Sequence, residues 1–438
     1  MNRITKHYRI HNPQKFKQQI VHWLNQFTVC CFYDNHSYQH GANQFELLAA
    51  AGIVKDTSAF TELALLDDWL NKIDDWIFGH LNFTLKDQLF QNTHSLYKPT
   101  IPFPDFYFFQ PEIVCTLHQH TISIHTMHTN PDEILKQITA FTLPEDSETF
   151  PHVQFTPRIS KKNYLNVIEH LLAHIHRGDC YEINFCTEWI AQAVKINPIS
   201  TFTALSHISP APFGAFYKLN NTYLLCASPE RFLLKKGNQI SSSPIKGTIS
   251  RNIYNYESDE TLKQTLLHSP KERSENVMIV DLVRNDLSRI CKAGTVYVSE
   301  LCKIYSYPQV HQLISTITGE LKPNLLFIDI LKAAFPMGSM TGAPKEKVLQ
   351  LTEKYECFNR GLYAGSVGYF TPNKDFDFNV VIRSLQYNSE QQVLCYAVGS
   401  GITAGSNPEM EYQECLLKAS AMSALFNVIT DGHLTMPK

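Results

Sequence analysis

Four glutamates fall into two pairs. Glu272 and Glu275 stand three apart in Lys-Glu-Arg-Ser-Glu-Asn; Glu411 and Glu414 stand three apart in Glu-Met-Glu-Tyr-Gln-Glu, with Lys418 four residues further on. On a helix that spacing sets each pair on one face. If the two faces meet, their like charges need a cation, and oxygen-only ligands suit Mg²⁺. Two solvated helix faces account for the same spacing. Lys246 lies in Ser241-Ser-Ser-Pro-Ile-Lys-Gly-Thr248, beside turn-forming Pro244. A lysine partly desolvated on such a turn has a lowered pKa and a nucleophilic amine. A lysine snorkelling from a surface turn is the plainer alternative.

Two glycine-rich segments bear on ligand binding. Gly338-Ser-Met-Thr-Gly-Ala-Pro-Lys345 looks superficially like a phosphate loop, but the spacing is wrong and Pro344 removes an amide donor. Val398-Gly-Ser-Gly-Ile-Thr-Ala-Gly405 fails as a dinucleotide fingerprint because its third glycine is misplaced. Its close glycines still let backbone N–H groups approach a carboxylate.

These residues need elements to hold them. Ser160 is placed to cap a helix with an apolar stripe at Tyr164, Val167, Ile168, Leu171, Leu172 and Ile175, and Gly178 to end it. Residues 271–290, 343–356 and 408–425 read as helices, the last two with Pro344 and Pro408 near their starts. Residues 222–226, 231–234, 363–370, 378–385 and 392–398 read as strands. Residues 101–109 read as a proline-punctuated lead-in to a strand, and 142–158 as a connecting segment. The mixed order predicts an α+β fold with large, mainly antiparallel sheets.

Composition narrows the class. The chain has 438 residues, 44% hydrophobic and 12% aromatic, ample for a large core. Lysine plus arginine number 38 against 41 acidic residues, a net charge of -3, with no long block of like charge to suit nucleic acid. Eleven scattered cysteines without a C-x-x-C pair fit a reducing compartment. Residues 1–19 lack an apolar signal core, and no run of about 18 apolar residues suggests a membrane span. The expectation is a cytoplasmic protein.

Taken in order, several motifs resemble the chorismate-utilising enzymes, among them anthranilate synthase component I, aminodeoxychorismate synthase component I, isochorismate synthase and salicylate synthase. The resemblance runs over roughly residues 155–430. It is carried by Ala227-Ser-Pro-Glu-Arg-Phe232, Pro244-Ile-Lys-Gly-Thr248, Glu272 through Asp286, Val310-His-Gln-Leu-Ile-Ser315, Phe335 through Lys345, Arg360 through Gly368 and Gly399 through Lys418. It implies a sandwich of large sheets with helices outside, an N-terminal region 1–150 packed intimately on the core, and a chorismate-binding catalytic domain 151–438.

The resemblance also implies roles. Glu275 and Glu414 match the main Mg²⁺ ligands, and Glu272 and Glu411 supporting carboxylates. Arg383 and Tyr363 match positions that hold the enolpyruvyl carboxylate, helped by Gly399, Gly401 and Lys418. His311 matches an active-site histidine, Ser339 a position near the ring, and Glu230 the general acid for the departing 4-hydroxyl. An acid working near neutrality needs its carboxyl pKa raised to about 6–7. A salt bridge from Glu230 to Arg231 or another cation is the competing expectation.

Two positions choose a branch. Lys246 in Pro-Ile-Lys-Gly-Thr is similar to aminodeoxychorismate synthases, whereas anthranilate synthases usually carry alanine there. A lysine can attack C2 and expel the 4-hydroxyl before ammonia attacks C4, splitting one hard substitution into two easier ones. Water-adding members carry lysine where this chain has Glu182; aminating members more often have glutamine, so Glu182 departs from both patterns. No cysteine sits in a glycine-flanked glutaminase elbow, and little chain follows the last matched helix. The expected activity is therefore amination of chorismate at C4 for p-aminobenzoate and folate synthesis, with ammonia from a separate glutamine amidotransferase subunit. Anthranilate synthase component I is the near alternative, although its Leu-Leu-Glu-Ser signature is missing; residues 29–34 read Val-Cys-Cys-Phe-Tyr-Asp. An inactive chorismate-binding partner protein is the alternative of another class.

Overall fold

The computed structural model describes residues 3–38, 45–91, 93–143, 150–307 and 310–426. Val29–Asp34, Leu47–Ala51 and Phe106–Gln110 are nearly unbroken apolar runs, and each forms a strand. Successive strand residues face opposite ways, so such a run needs cover on both sides. Cys31, Leu48, Ala50, Tyr107 and Phe109 join one core; Cys30, Phe32, Leu47 and Ala49 join a second; Phe106 and Phe108 join a third. The first core draws on both of two sheets and fills the space between them.

Among the described residues one sheet has 12 strands and the other 10, and neighbours pair antiparallel. The outer face of the larger sheet packs against helices Pro13–Leu24, Pro131–Ala140, Lys161–His176, Pro198–Ile208 and Pro408–Ala424. The outer face of the smaller packs against Ala64–Asn71, Pro270–Ile290 and Phe327–Ala334. This is the expected α+β sandwich with helices outside. Ser160 Oγ accepts from the Asn163 amide as the predicted cap, and Gly178, at φ +82°, follows the helix end.

Both sheets run across the boundary between residues 150 and 151. Val29–Asp34 pairs with Phe213–Leu219 in one sheet, and Ile77–Leu81 with Ser366–Phe370 in the other. Residues 144–149 of the expected connecting segment lie outside the described residues; its end, Thr156–Pro157, pairs with Glu182–Ala191.

Three sequence expectations need correction. Residues 378–385 are two strands in different sheets: Phe376–Asn379 in the smaller and Ser384–Asn388 in the larger. Between them the chain crosses the sandwich, with Arg383 at φ +52° breaking the extended backbone. The strand expected from Tyr363 starts at Ser366, because Gly361 and Ala364 take positive φ and form a turn first. Lys246 sits in the strand Ile245–Ser250 rather than on a turn.

Candidate active site

The chain crosses between the sheets twice at neighbouring places. Pro229 and Glu230 link Thr222–Ser228 in the larger sheet to Arg231–Lys236 in the smaller. Residues 380–383 make the reverse crossing. The two crossings are stitched together: the Val380 amide donates to Glu230 O at 3.0 Å, Ser228 Oγ to Val380 O at 2.6 Å, and the Ala227 amide to Arg383 O at 3.1 Å. Glu230 thereby lies opposite Val380, and Arg383 opposite Ala227, at the two ends of the stitched crossings.

Glu230 is 4% exposed and lies against a cavity of mixed lining, with Phe232, Val283 and Met337 beside Asp286 and Ser339. Burial pushes its pKa up to about 7, although Ser339 and Lys246 pull the other way. Ser339 Oγ donates to Glu230 Oε1 at 2.6 Å. The competing salt bridge to Arg231 is not made, because Arg231 forks onto Asp377 at 2.9 and 3.0 Å.

Lys246 points at Glu182, the first residue of the strand Glu182–Ala191. Nζ lies 2.6 Å from Glu182 Oε1, with side-chain exposures of 15% and 2%. The expected lowered pKa is therefore overturned. Burial acts to lower it, but the carboxylates of Glu182, Glu275 and Glu414 together outweigh burial and hold the ammonium above its ordinary value. Gly401 faces this pair, and a Cβ there would overlap Nζ and crowd Glu182 Oε1. Space for the lysine is thus the tangible reason for glycine at 401. At Gly399 a Cβ would collide with Cys186 Sγ.

The glutamate pairs sit near the N-terminal ends of two helices, where the dipole favours carboxylates. Ser269 Oγ caps Pro270–Ile290 at the Glu272 amide, and Asn407 Oδ1 caps Pro408–Ala424. Burial raises the pKa of Glu275 to about 7, and burial likewise raises that of Glu272, with Glu414 adding to the effect. Burial alone would raise Glu414, but Lys418, Lys246 and Lys271 overcome it and hold it below the usual range. Lys418 bonds Glu414 at 2.6 Å and Gly399 O at 2.9 Å. Glu275 Oε1 and Glu411 Oε2 are buried without a hydrogen-bond partner. Among the described residues no group of three or more His, Cys, Asp or Glu is disposed to hold a metal ion. Local lysines meet part of the charge instead, with Lys271 4.0 Å from Glu275.

Arg383 is desolvated, which lowers its pKa against the opposing fields of Tyr363 and Glu414. Among the described residues its guanidinium has no hydrogen bond or ion pair. Tyr363 is buried beside Cys186. The structure does not bring His311 to this cluster. Its ring lies between Ser306 Oγ at 2.8 Å and Asp259 Oδ1 at 3.1 Å, so both nitrogens are engaged elsewhere.

Gln312, overlooked in the sequence, faces Thr248 of the lysine strand, and its Oε1 is buried without a partner. The period of two in Val310–Glu320 was the signal that one of the two residues had to turn away from the other. Also overlooked was Arg360, which is buried. It forks onto Glu356 at 2.6 and 2.9 Å and donates to Met340 O at 2.7 Å and Asn184 O at 2.9 Å. One guanidinium thus ties the turn carrying Ser339 to the strand carrying Glu182. No local pattern in the sequence signals that role.

A family model described as chorismate binding enzyme matches residues 25–424. Aminodeoxychorismate synthase, chloroplastic, of Arabidopsis thaliana is 40% identical over 283 residues, 64% of this chain and 30% of that protein. Aminodeoxychorismate synthase component 1 of Bacillus subtilis is 36% identical over 268 residues, 61% of this chain and 56% of that protein. The matched segment therefore spans about a third to a little over half of these relatives. Anthranilate synthase component I-like protein of Synechocystis is 33% identical over 361 residues, 81% of this chain and 71% of that protein. Among solved structures, the menaquinone-specific isochorismate synthase from Escherichia coli superposes with a TM-score of 0.77 at 18% identity, covering 97% of this chain and 94% of that one. At that identity the likeness speaks for the fold.

Proposed function

The chain belongs to the chorismate binding enzyme family, and from that premise we propose that it aminates chorismate at C4 with ammonia to give 4-amino-4-deoxychorismate. The observation that carries this reading is that the Lys246 ammonium, mostly buried on Glu182, lies close enough to the buried Glu230 carboxyl to act on it. The amine is a nucleophile for C2. The carboxyl, with a pKa of about 7, is an acid for the departing 4-hydroxyl. Relatives named aminodeoxychorismate synthase support the branch.

Arg383 offers an uncommitted planar fork, which suits a substrate carboxylate, with Tyr363 beside it. The backbone at Gly399 and Gly401 flanks the same space. Lys418 holds that strand through Gly399 O. Ser339 orients the Glu230 carboxyl. The all-oxygen donor set and the partnerless buried oxygens of Glu275 and Glu411 suit Mg²⁺. Glu275 and Glu414 would hold it, with Glu272 and Glu411 in support. When bound, Mg²⁺ supplies positive charge for a substrate carboxylate.

Ammonia comes, in this reading, from a separate glutamine amidotransferase subunit, as the name "component 1" in the Bacillus relative suggests. The product feeds p-aminobenzoate and folate synthesis. The described cysteines are free and mostly buried, which suits a reducing cytoplasm, and no described helix is long and apolar enough to cross a membrane.

A product assay tests the reading. Protein, chorismate, Mg²⁺ and ammonium are mixed, and an aminodeoxychorismate lyase is added to half. Lyase-dependent p-aminobenzoate is the expected result. Anthranilate formed without lyase would establish the second reading, which the Synechocystis relative favours by covering more of the chain.

A further inference from the structure

We propose that Glu182 is the base that frees Lys246 for attack on substrate carbon. The inference rests on the covalent reading of Lys246 given above. An ammonium has no lone pair and cannot attack C2, so a proton must leave Nζ first. Glu182 Oε1 is 2.6 Å from Nζ, within range for direct transfer. Other charged groups face the lysine from neighbouring elements. Glu275 and Glu272 lie on Pro270–Ile290, Glu414 and Lys418 on Pro408–Ala424, and Glu230 at the crossing. Among the carboxylates of the described residues, Glu182 alone is hydrogen-bonded to Nζ. Glu230 is engaged by Ser339, and Glu414 by Lys418.

The setting of Glu182 fits the task. Its backbone is fixed on both sides, because the Tyr181 amide donates to Ala343 O and the Asn184 amide to Thr341 O, each at 2.7 Å. Its Oε2 is buried and accepts no hydrogen bond. Once protonated, Glu182 can keep its contact with Nζ as a neutral hydrogen bond, so the proton has a short path in either direction. Substrate entry excludes water, and a drier site favours amine plus carboxylic acid over an ion pair.

The proton and electron count closes. Lys246 passes one proton to Glu182, and its lone pair forms the N–C2 bond. The two ring double bonds shift toward C4, and the C4–O bond breaks, leaving as water with the proton of Glu230. Ammonia then forms the N–C4 bond, the double bonds shift back and the C2–N bond breaks. Glu182 returns its proton to Lys246, and the surplus proton on the new ammonium resets Glu230.

The test is rapid-quench intact-protein mass spectrometry with chorismate and Mg²⁺, without ammonium, over a pH series. The adduct has the mass of chorismate less one water. The wild type should form it at a rate that falls only above about pH 7, as Glu230 loses its proton. Glu182→Gln should form it roughly a hundredfold more slowly at neutral pH, with the ratio of its rate to the wild-type rate climbing as pH rises. Glu182→Asp, which keeps a base, should hold that ratio constant across the series. An E182Q rate and profile matching the wild type would overturn the role of Glu182 and leave the covalent lysine standing. Steady turnover with ammonium but no wild-type adduct would overturn both.

Discussion

Ser339 Oγ donates to Glu230 Oε1 across 2.6 Å, so this buried carboxyl is bonded by a hydroxyl from the turn Gly338–Met340, far from it in sequence. That bond favours the carboxylate, while burial favours the acid, and burial wins. An acid acts in its protonated form, which is present below about pH 7 and lost above it. The basic limb of the pH–rate profile should therefore reflect Glu230. Removing the hydroxyl in Ser339→Ala takes away a pKa-lowering contact and should move that limb to higher pH. Glu230→Gln should abolish the limb and cost roughly 100- to 10,000-fold in kcat, as loss of a general acid does.

Among the described residues Arg383 has no partner for its fork, so its contribution should appear when a carboxylate arrives. Arg383→Gln should leave the thermal midpoint near the wild type and raise KM for chorismate. A hydrogen bond to a charged group contributes about 1.5–3 kcal/mol, which corresponds to roughly ten- to a hundredfold. Steady-state kinetics beside a melting curve read both quantities.

Gly401→Ala places a methyl group where Lys246 Nζ and Glu182 Oε1 lie. Overpacking of this kind costs about 1–3 kcal/mol of stability. Turnover should fall much further than stability, because the group displaced is the proposed nucleophile. Denaturant unfolding compared with activity separates the two effects.

The glutamates give a metal-linked prediction. Glu275→Gln or Glu414→Gln should raise the Mg²⁺ needed for half-maximal turnover by on the order of a hundredfold. The Mg²⁺-induced rise in thermal midpoint should shrink in step. Glu275→Gln should also lower the pKa of Lys246, since Glu275 is one of the charges that hold it up.

Arg360 and Glu356 are a buried pair with every arm engaged. Arg360→Met would strand the Glu356 carboxylate in the interior and should cost about 3–5 kcal/mol. Changing both to apolar residues should restore much of the stability but not the activity, because Met340 and Asn184 would lose their common anchor. A urea series on the single and double variants measures the difference.

Much of this architecture could be read from residue order. Strands such as Leu47–Ala51 announce themselves because burial on both faces leaves no polar positions. The helices carrying the glutamates announce themselves by their caps, Ser269 and Asn407, each followed by proline. The crossing at residues 380–383 was hidden because its apolar residues continue the pattern of the strands it joins. Only the backbone angle at Arg383 breaks the run, and an arginine does not advertise a positive φ. The glutamate pairs were legible from local spacing. The partner of Lys246 was not, because Glu182 meets it through strand order rather than through sequence. His311 was chosen by motif, and its bonds to Ser306 and Asp259 come from neighbours that the motif does not show.

The central pairings of both sheets join early residues to late ones: Val29–Asp34 to Phe213–Leu219, and Ile77–Leu81 to Ser366–Phe370. A chain emerging from the ribosome must therefore hold its first strands unpaired on one side until their distant neighbours are made. Contacts so far apart in sequence slow folding and leave sticky edges exposed meanwhile.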